Sequence, residues 1–264
     1  MQGRVATSGF VGAARCLILS GLLVVLGCSG EGGSDAVCST GQAIHFGTAT
    51  PTLSLSDAAR YGIVSVGTQP GVGRPFCSGV LVAPSWVLTA AHCVSYASKV
   101  SIGIDRRDEL ADIDVSETVA HPELDLLLLR LERPARDALH VAIEPLALNS
   151  QPLDEQWVGE HATLAGFGQD EAGASGALRF VSEPVSAIDS LGITLDGQGM
   201  SGACTGDSGG PLLVSDASGA PLVLGVLSAG SATCQDRDLY VRVDAAAAWL
   251  ASRLAAAPAG NGCR

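Results

Sequence analysis

Lysine is nearly missing from this chain. Lys99 is the single lysine among 15 basic residues in 264, against 27 acids and a net charge of −12. Such an excess of acid repels phosphate backbones, which excludes nucleic acid as a partner. Aromatic residues make up only 4%, so aliphatic side chains must fill the core. Charged residues are also scarce, at 16% against 47% hydrophobic, which excludes a disordered chain. No CxxC spacing occurs, which counts against a zinc cluster and a thioredoxin-type redox motif. Long apolar runs are absent too. The longest, "CLILSGLLVVLGC" from Cys16 to Cys28, is too short for a standard membrane span.

That run follows Arg4 and Arg15, and a charged start before an apolar middle is the pattern of a secretory leader over residues 1–28. Its end, "VLGC", resembles a bacterial lipoprotein signal, which would leave Cys28 as a lipidated N-terminus on the membrane. A plain signal peptide cut nearby is the alternative. Ser29 after the cysteine points to the outer membrane, so the expected location is there or outside the cell. Residues 29–43 then read as a linker or propeptide opening on the flexible "SGEGGSD". Of eight cysteines, Cys16 leaves with the leader and Cys28 is the lipid candidate. The even remainder, in an exported chain, reads as disulfides.

Glycine is abundant, with 33 residues. Short apolar runs recur between turn clusters: "YGIVSVG", "SGVLVA", "WVLTA", "VSIGI", "LLLLRL", then "ATLAGFG", "LRFVSEPV", "GITLD", "GPLLVS", "LVLGVLSAG" and "LYVRV". Such spacing predicts an all-β barrel or sandwich. One helix is expected, "DAAAAWLASRLAAA", with Asp244 as its N-cap. The polar stretch Leu146–Gln156 marks a boundary between lobes at 44–148 and 149–264.

"CTGDSGGPL", Cys204 to Leu212, sets Ser208 on a glycine turn whose N–H groups can face a reacting carbonyl. The pattern also fits the G-x-S-x-G elbow of α/β-hydrolases, in which the histidine follows the serine. All five histidines here (45, 92, 121, 140, 161) precede it. His92 lies in "WVLTAAHCV" and Asp125 leads into four leucines in "HPELDLLLLRL". Singly, each has a plain reading as a core histidine or a strand-edge carboxylate. Together an aspartate can orient an imidazole that takes the hydroxyl proton. A subtilisin-like order through Asp57 conflicts with the all-β pattern.

"TAAHC", "HPELDLLLLRL" and "GDSGGP" resemble the active-site signatures of chymotrypsin-like serine proteases (the trypsin superfamily), in that family's order. The resemblance runs from about Ile44 to the terminal helix. It implies two antiparallel six-stranded β-barrels with a C-terminal α-helix, polypeptide substrates and no required cofactor. It assigns Ser208 as nucleophile, His92 as general base and Asp125 as orienting carboxylate, with the amides of Gly206 and Ser208 as oxyanion hole. "SAG", Ser228 to Gly230, matches the strand that pairs with substrate, with Ala229 in place of the usual tryptophan. Cys77–Cys93 and Cys204–Cys234 match family bridges, and Cys38–Cys263 is what remains.

Three features depart from the family. Gly202 stands where trypsins carry an acid, while Asp238 falls on the opposite pocket wall, or is a solvated loop charge beside Arg237. A carboxylate there implies a basic or mixed P1 preference. "IHFG" replaces the usual new N-terminus, so Ile44 would pair its freed amine with Asp207, and Ala43 before it implies a separate activating protease. "DRRDELADID", Asp105 to Asp114, falls near a calcium loop of some relatives but reads as a solvated charge run, so no metal is expected. A catalytically inactive homologue serving as an extracellular binding module, or an adhesive surface lipoprotein, is the alternative to an enzyme.

Overall fold

A computed structural model describes residues 44–68, 75–105, 109–138 and 140–255. The expected leader and linker, Cys28 as the expected lipidation site, and the expected Cys38–Cys263 bridge lie outside the described residues.

The first barrel consists of β1 (Ile63–Thr68), β2 (Pro75–Ala83), β3 (Trp86–Thr89), β4 (Lys99–Gly103), β5 (Glu109–Ala120) and β6 (Leu127–Leu131). They close in the order β1-β2-β3-β6-β5-β4 with every pairing antiparallel. After the two-residue β7 (Ala147–Leu148), the second barrel takes β8 (His161–Gly166), β9 (Arg179–Ile188), β10 (Gly192–Asp196), β11 (Pro211–Ser215), β12 (Pro221–Ala229) and β13 (Arg237–Arg242). Pairing of β11 with β12 closes this ring, and β7 lies parallel along β12. A short α1 (Asp57–Arg60) precedes the barrels, and α2 (Ala247–Leu254) follows them.

Side chains on a strand alternate between its faces, and here both faces are often apolar. Leu212, Leu224 and Tyr240 fill the second barrel. Their neighbours Leu213, Val223 and Val241 join the cluster of the first barrel, which continues to Leu250 of α2. Strands buried on both faces read as unbroken apolar runs, which explains Leu126 to Leu129, all fully buried. Burial of each such leucine contributes about 1.5–3 kcal/mol, so the aliphatic core needs few aromatics.

Two sequence expectations are corrected. From Glu109 onward the charge run Asp105–Asp114 is part of strand β5, not a solvated loop. Ile113 points inward while Asp112 and Asp114 face out, and Asp112 accepts hydrogen bonds from Lys99 Nζ (2.9 Å) and Ser101 Oγ (2.5 Å). Outward charges on a barrel strand cost no desolvation, so the run hides an ordinary alternation. Asp244 does not cap the helix. A 3-10 turn, Asp244–Ala246, intervenes, and α2 begins at Ala247 without a side-chain cap. Asp244 instead binds Arg242 Nη2 at 2.6 Å and the Leu153 amide at 3.1 Å, because a buried guanidinium demands a partner more strongly than an exposed helix end does.

Candidate active site

β3 delivers its apolar residues into the first barrel and then breaks into the 3-10 turn Ala91–Tyr96, which carries His92. Asp125 sits two residues before β6, paired to β3, so both side chains emerge at the same barrel end. The Asp125 carboxylate is saturated: Oδ2 meets His92 Nδ1 at 2.8 Å and accepts from Ser228 Oγ at 2.7 Å, while Oδ1 accepts the His92 amide at 2.9 Å. Burial opposes its ionisation, but the hydrogen bonds from His92, from Ser228 and from the His92 amide outweigh that and bring its pKa to about 2. The hydrogen bond to Asp125 raises the His92 pKa, against partial burial and aided by the opposite charge. Ser228 belongs to β12, so the second barrel supplies a donor to the carboxylate of the first.

Ser208 lies on the turn before β11, and its carbonyl accepts the Ser78 amide of β2 at 2.8 Å. The sulfur of Cys93, next to His92, is 3.8 Å from the same carbonyl. The chain at Ser208 therefore lies against β2 and beside Cys93, the residue next to His92. Gly206 has φ +102° and Gly209 +81°, a region in which a side chain is strained. A Cβ at Gly209 would also collide with Thr89 Oγ1 and the Ser78 carbonyl. Between them Asp207 is buried, its Oδ1 accepting from Gly168 N (2.7 Å) and Oδ2 from Cys204 N (2.9 Å). Burial, against those two amides, pushes its pKa to about 7.

Beside Ser208 opens a cleft of about 240 Å³ lined by Cys204, Leu227, Gly230 and Cys234 among others. The disulfides Cys77–Cys93 and Cys204–Cys234 are both formed, one beside His92 and one at the cleft wall. Asp238 is not a solvated loop charge: it lies on β13 at 1% exposure. Its Oδ2 accepts the Ala203 amide at 2.7 Å, and Oδ1 is buried without a hydrogen-bond partner. The carboxylate sits between Gly202 and Gly230: a Cβ on Gly230 would come to 2.8 Å from Oδ1, and one on Gly202 to 3.2 Å from Oδ2. Burial raises its pKa to about 6, against the Ala203 and Ser231 amides. Ile44 is buried among the second barrel's residues, and His45 bridges to Gly202 through an amide-to-carbonyl bond of 3.0 Å.

Sequence reasoning missed three residues here. Ser228 was read for its backbone, whereas its hydroxyl holds Asp125. Glu183, opposite Ala162 in β9, is buried inside the second barrel, with Oε1 accepting from Ser201 Oγ (2.8 Å) and Oε2 unpartnered. Ser78 binds the nucleophile turn. No motif marks any of these side-chain roles, since each acts through neighbours distant in sequence. Among the described residues Cys77, His92 and Cys93 cluster as potential metal ligands, but both sulfurs are spent in the disulfide.

The family model described as Trypsin matches residues 56–250. A trypsin of Squalus acanthias is 28% identical over 214 residues, covering 70% of this chain and 88% of the relative. A brachyurin of Leptuca pugilator is 30% identical over 212 residues, 69% of this chain and 89% of the relative. A snake venom serine protease of Bothrops alternatus is 28% identical over 217 residues, 69% and 88% of the two chains.

Proposed function

The chain belongs to the trypsin family and is a serine endopeptidase, and on that premise we propose that it cuts peptide bonds through a triad of Ser208, His92 and Asp125. The Ser208 hydroxyl attacks the scissile carbonyl carbon as His92 takes its proton, and the amides of Gly206 and Ser208 hold the resulting oxyanion. His92 returns the proton to the leaving amine, and water then hydrolyses the acyl-enzyme by the same relay. The observation that carries this reading is the Asp125 carboxylate, held by Ser228 while it binds both Nδ1 and the amide of His92. That arrangement fixes the tautomer with Nε2 free to accept a proton.

Asp238 between two glycines is the feature that supports a basic or mixed P1 preference, since a buried carboxylate with an unclosed oxygen favours a cationic side chain. For activation, Ile44 is the candidate new N-terminus. Its side chain is 1% exposed and its φ is +53°, a strained value for a β-branched residue. Cutting the bond ahead of it abolishes that torsion and frees an amine that Asp207, a buried acid, can hold. Ala43 there calls for a separate activating protease. The two disulfides fit an oxidising compartment outside the cytoplasm; attachment through lipid on Cys28 is part of this proposal.

The test is intact mass and N-terminal sequence of the purified protein before and after a fluorophosphonate. We expect one adduct on Ser208 in a species beginning at Ile44. A species that begins at Ile44 and takes no adduct overturns the triad and favours the inactive binding module.

A further inference from the structure

The turn that carries Ser208 is gripped from the opposite barrel by a side chain that no step above uses. Ser78 of β2 is fully buried. Its amide donates to the Ser208 carbonyl at 2.8 Å. Its hydroxyl donates to the Gly206 carbonyl at 2.9 Å and accepts the Phe167 amide at 3.0 Å. Its own carbonyl accepts from Thr89 Oγ1 at 2.7 Å.

Peptide planes are rigid, so an amide's direction is set by what holds the carbonyl of its own plane. The plane bearing the Gly206 N–H is held through the Thr205 carbonyl, which accepts from the Gln169 amide at 2.9 Å. The next plane is held through the Gly206 carbonyl by Ser78 Oγ. The plane bearing the Ser208 N–H is held through the Asp207 carbonyl by the Gly210 amide at 2.8 Å. Glycine at φ +102° has little local preference to resist a peptide flip, so these outside bonds decide where the donors point. The segment 167–169 that fixes the first plane is itself tied to Ser78 Oγ through Phe167. One hydroxyl thus joins the two pieces of chain that aim the oxyanion donors, and its double role as donor and acceptor requires a hydroxyl in a site this dry.

We propose that the Ser78 hydroxyl is a positioning residue that aims the Gly206 and Ser208 amides at the substrate oxyanion. This rests on the catalytic reading given above. Alanine at this place strips partners from the buried Gly206 carbonyl and Phe167 amide, and the Gly206 peptide turns to find new ones.

The experiment compares wild type with Ser78→Ala in the activated protein, using a peptide substrate, a peptide aldehyde whose adduct places an oxyanion in the site, and an unreactive peptide of the same sequence. Outright loss of an oxyanion donor costs about a hundredfold or more; misdirected donors should cost about tenfold. We expect kcat to fall by that factor with KM within about twofold, aldehyde affinity to fall in parallel, and the unreactive peptide to bind as before. Ser101→Ala removes a different hydroxyl of the first barrel, the one bonded to Asp112, and is expected to keep kcat. Retention of kcat and aldehyde affinity in Ser78→Ala, or an equal loss of kcat in Ser101→Ala, overturns the role of Ser78 alone. A cut, folded wild type without turnover overturns the catalytic reading and this role with it. If Ser78→Ala does not accumulate, Ser78→Gly, which also lacks the hydroxyl, is judged by the same outcomes.

Discussion

In the proposed mechanism His92 is the residue on which the rate's pH dependence turns. It must be neutral to accept a proton, and its hydrogen bond to Asp125 holds its pKa above the ordinary histidine value. The rate kcat/KM is therefore expected to be full above that pKa and to fall tenfold per pH unit below it. Asp125, at about 2, stays ionised throughout and adds no second step above pH 3. A pH–rate profile with its acid limb below the ordinary histidine range would contradict this assignment. At this scale the motif residues of the proposed triad were legible because a nucleophile, a base and an orienting acid must be of particular types. Ser228 and Ser78 were not, since a serine hydroxyl acquires its purpose only from what the fold sets beside it.

Among the elements, the stretch entering α2 shows how a local preference is overridden. An aspartate before an alanine run reads as an N-cap, yet Asp244 is 5% exposed and pairs with Arg242 at 9%. Arg242 also donates to the carbonyls of Asp189 and Leu153, so one guanidinium ties β13 to two loops. Asp244→Ala leaves that charge buried without its counterion, at an expected cost of about 3–5 kcal/mol, read as a drop in the denaturation midpoint. A loss of only about 1 kcal/mol, the scale of a missing cap, would restore the capping reading. β5 teaches the same lesson in reverse. Its inward Ile113 among outward acids was present in the letters, but the density of charge masked the period of two.

At the scale of the whole molecule, three of the buried acids among the described residues have their pKa raised. Burial is the main cause in each, raising Glu183 to about 8, Asp207 to about 7 and Asp238 to about 6. For Glu183 the Ser201 hydroxyl works against burial, and the charges of Asp238 and Asp196 add to it. Each folded pKa lies above its unfolded value, so the folded state binds more protons. Stability is then full below about pH 4 as far as these groups decide it, and is lost as pH rises through about 6 to 8. Glu183→Gln keeps an acceptor for Ser201 Oγ and cannot ionise. It should flatten the decline and gain on the order of a few kcal/mol at pH 8, seen in unfolding midpoints from pH 5 to 9. Parallel curves for the two proteins would remove Glu183 as the source.

What the sequence determined by itself was class and chemistry. Short apolar runs between glycine-rich turns bury their faces in an all-β barrel or sandwich, and the motifs around His92, Asp125 and Ser208, in that order, resemble those of one catalytic family. The tertiary structure decided the rest. Strand register put Glu183 opposite Ala162 and Asp238 opposite Leu195, turning two ordinary letters into buried acids. Closure of the barrels against each other brought Ser228 to Asp125 and Ser78 to Gly206 across 103 and 128 residues of chain. A hydrogen bond between such distant residues leaves no periodicity in the sequence, because its geometry exists only once both barrels have closed.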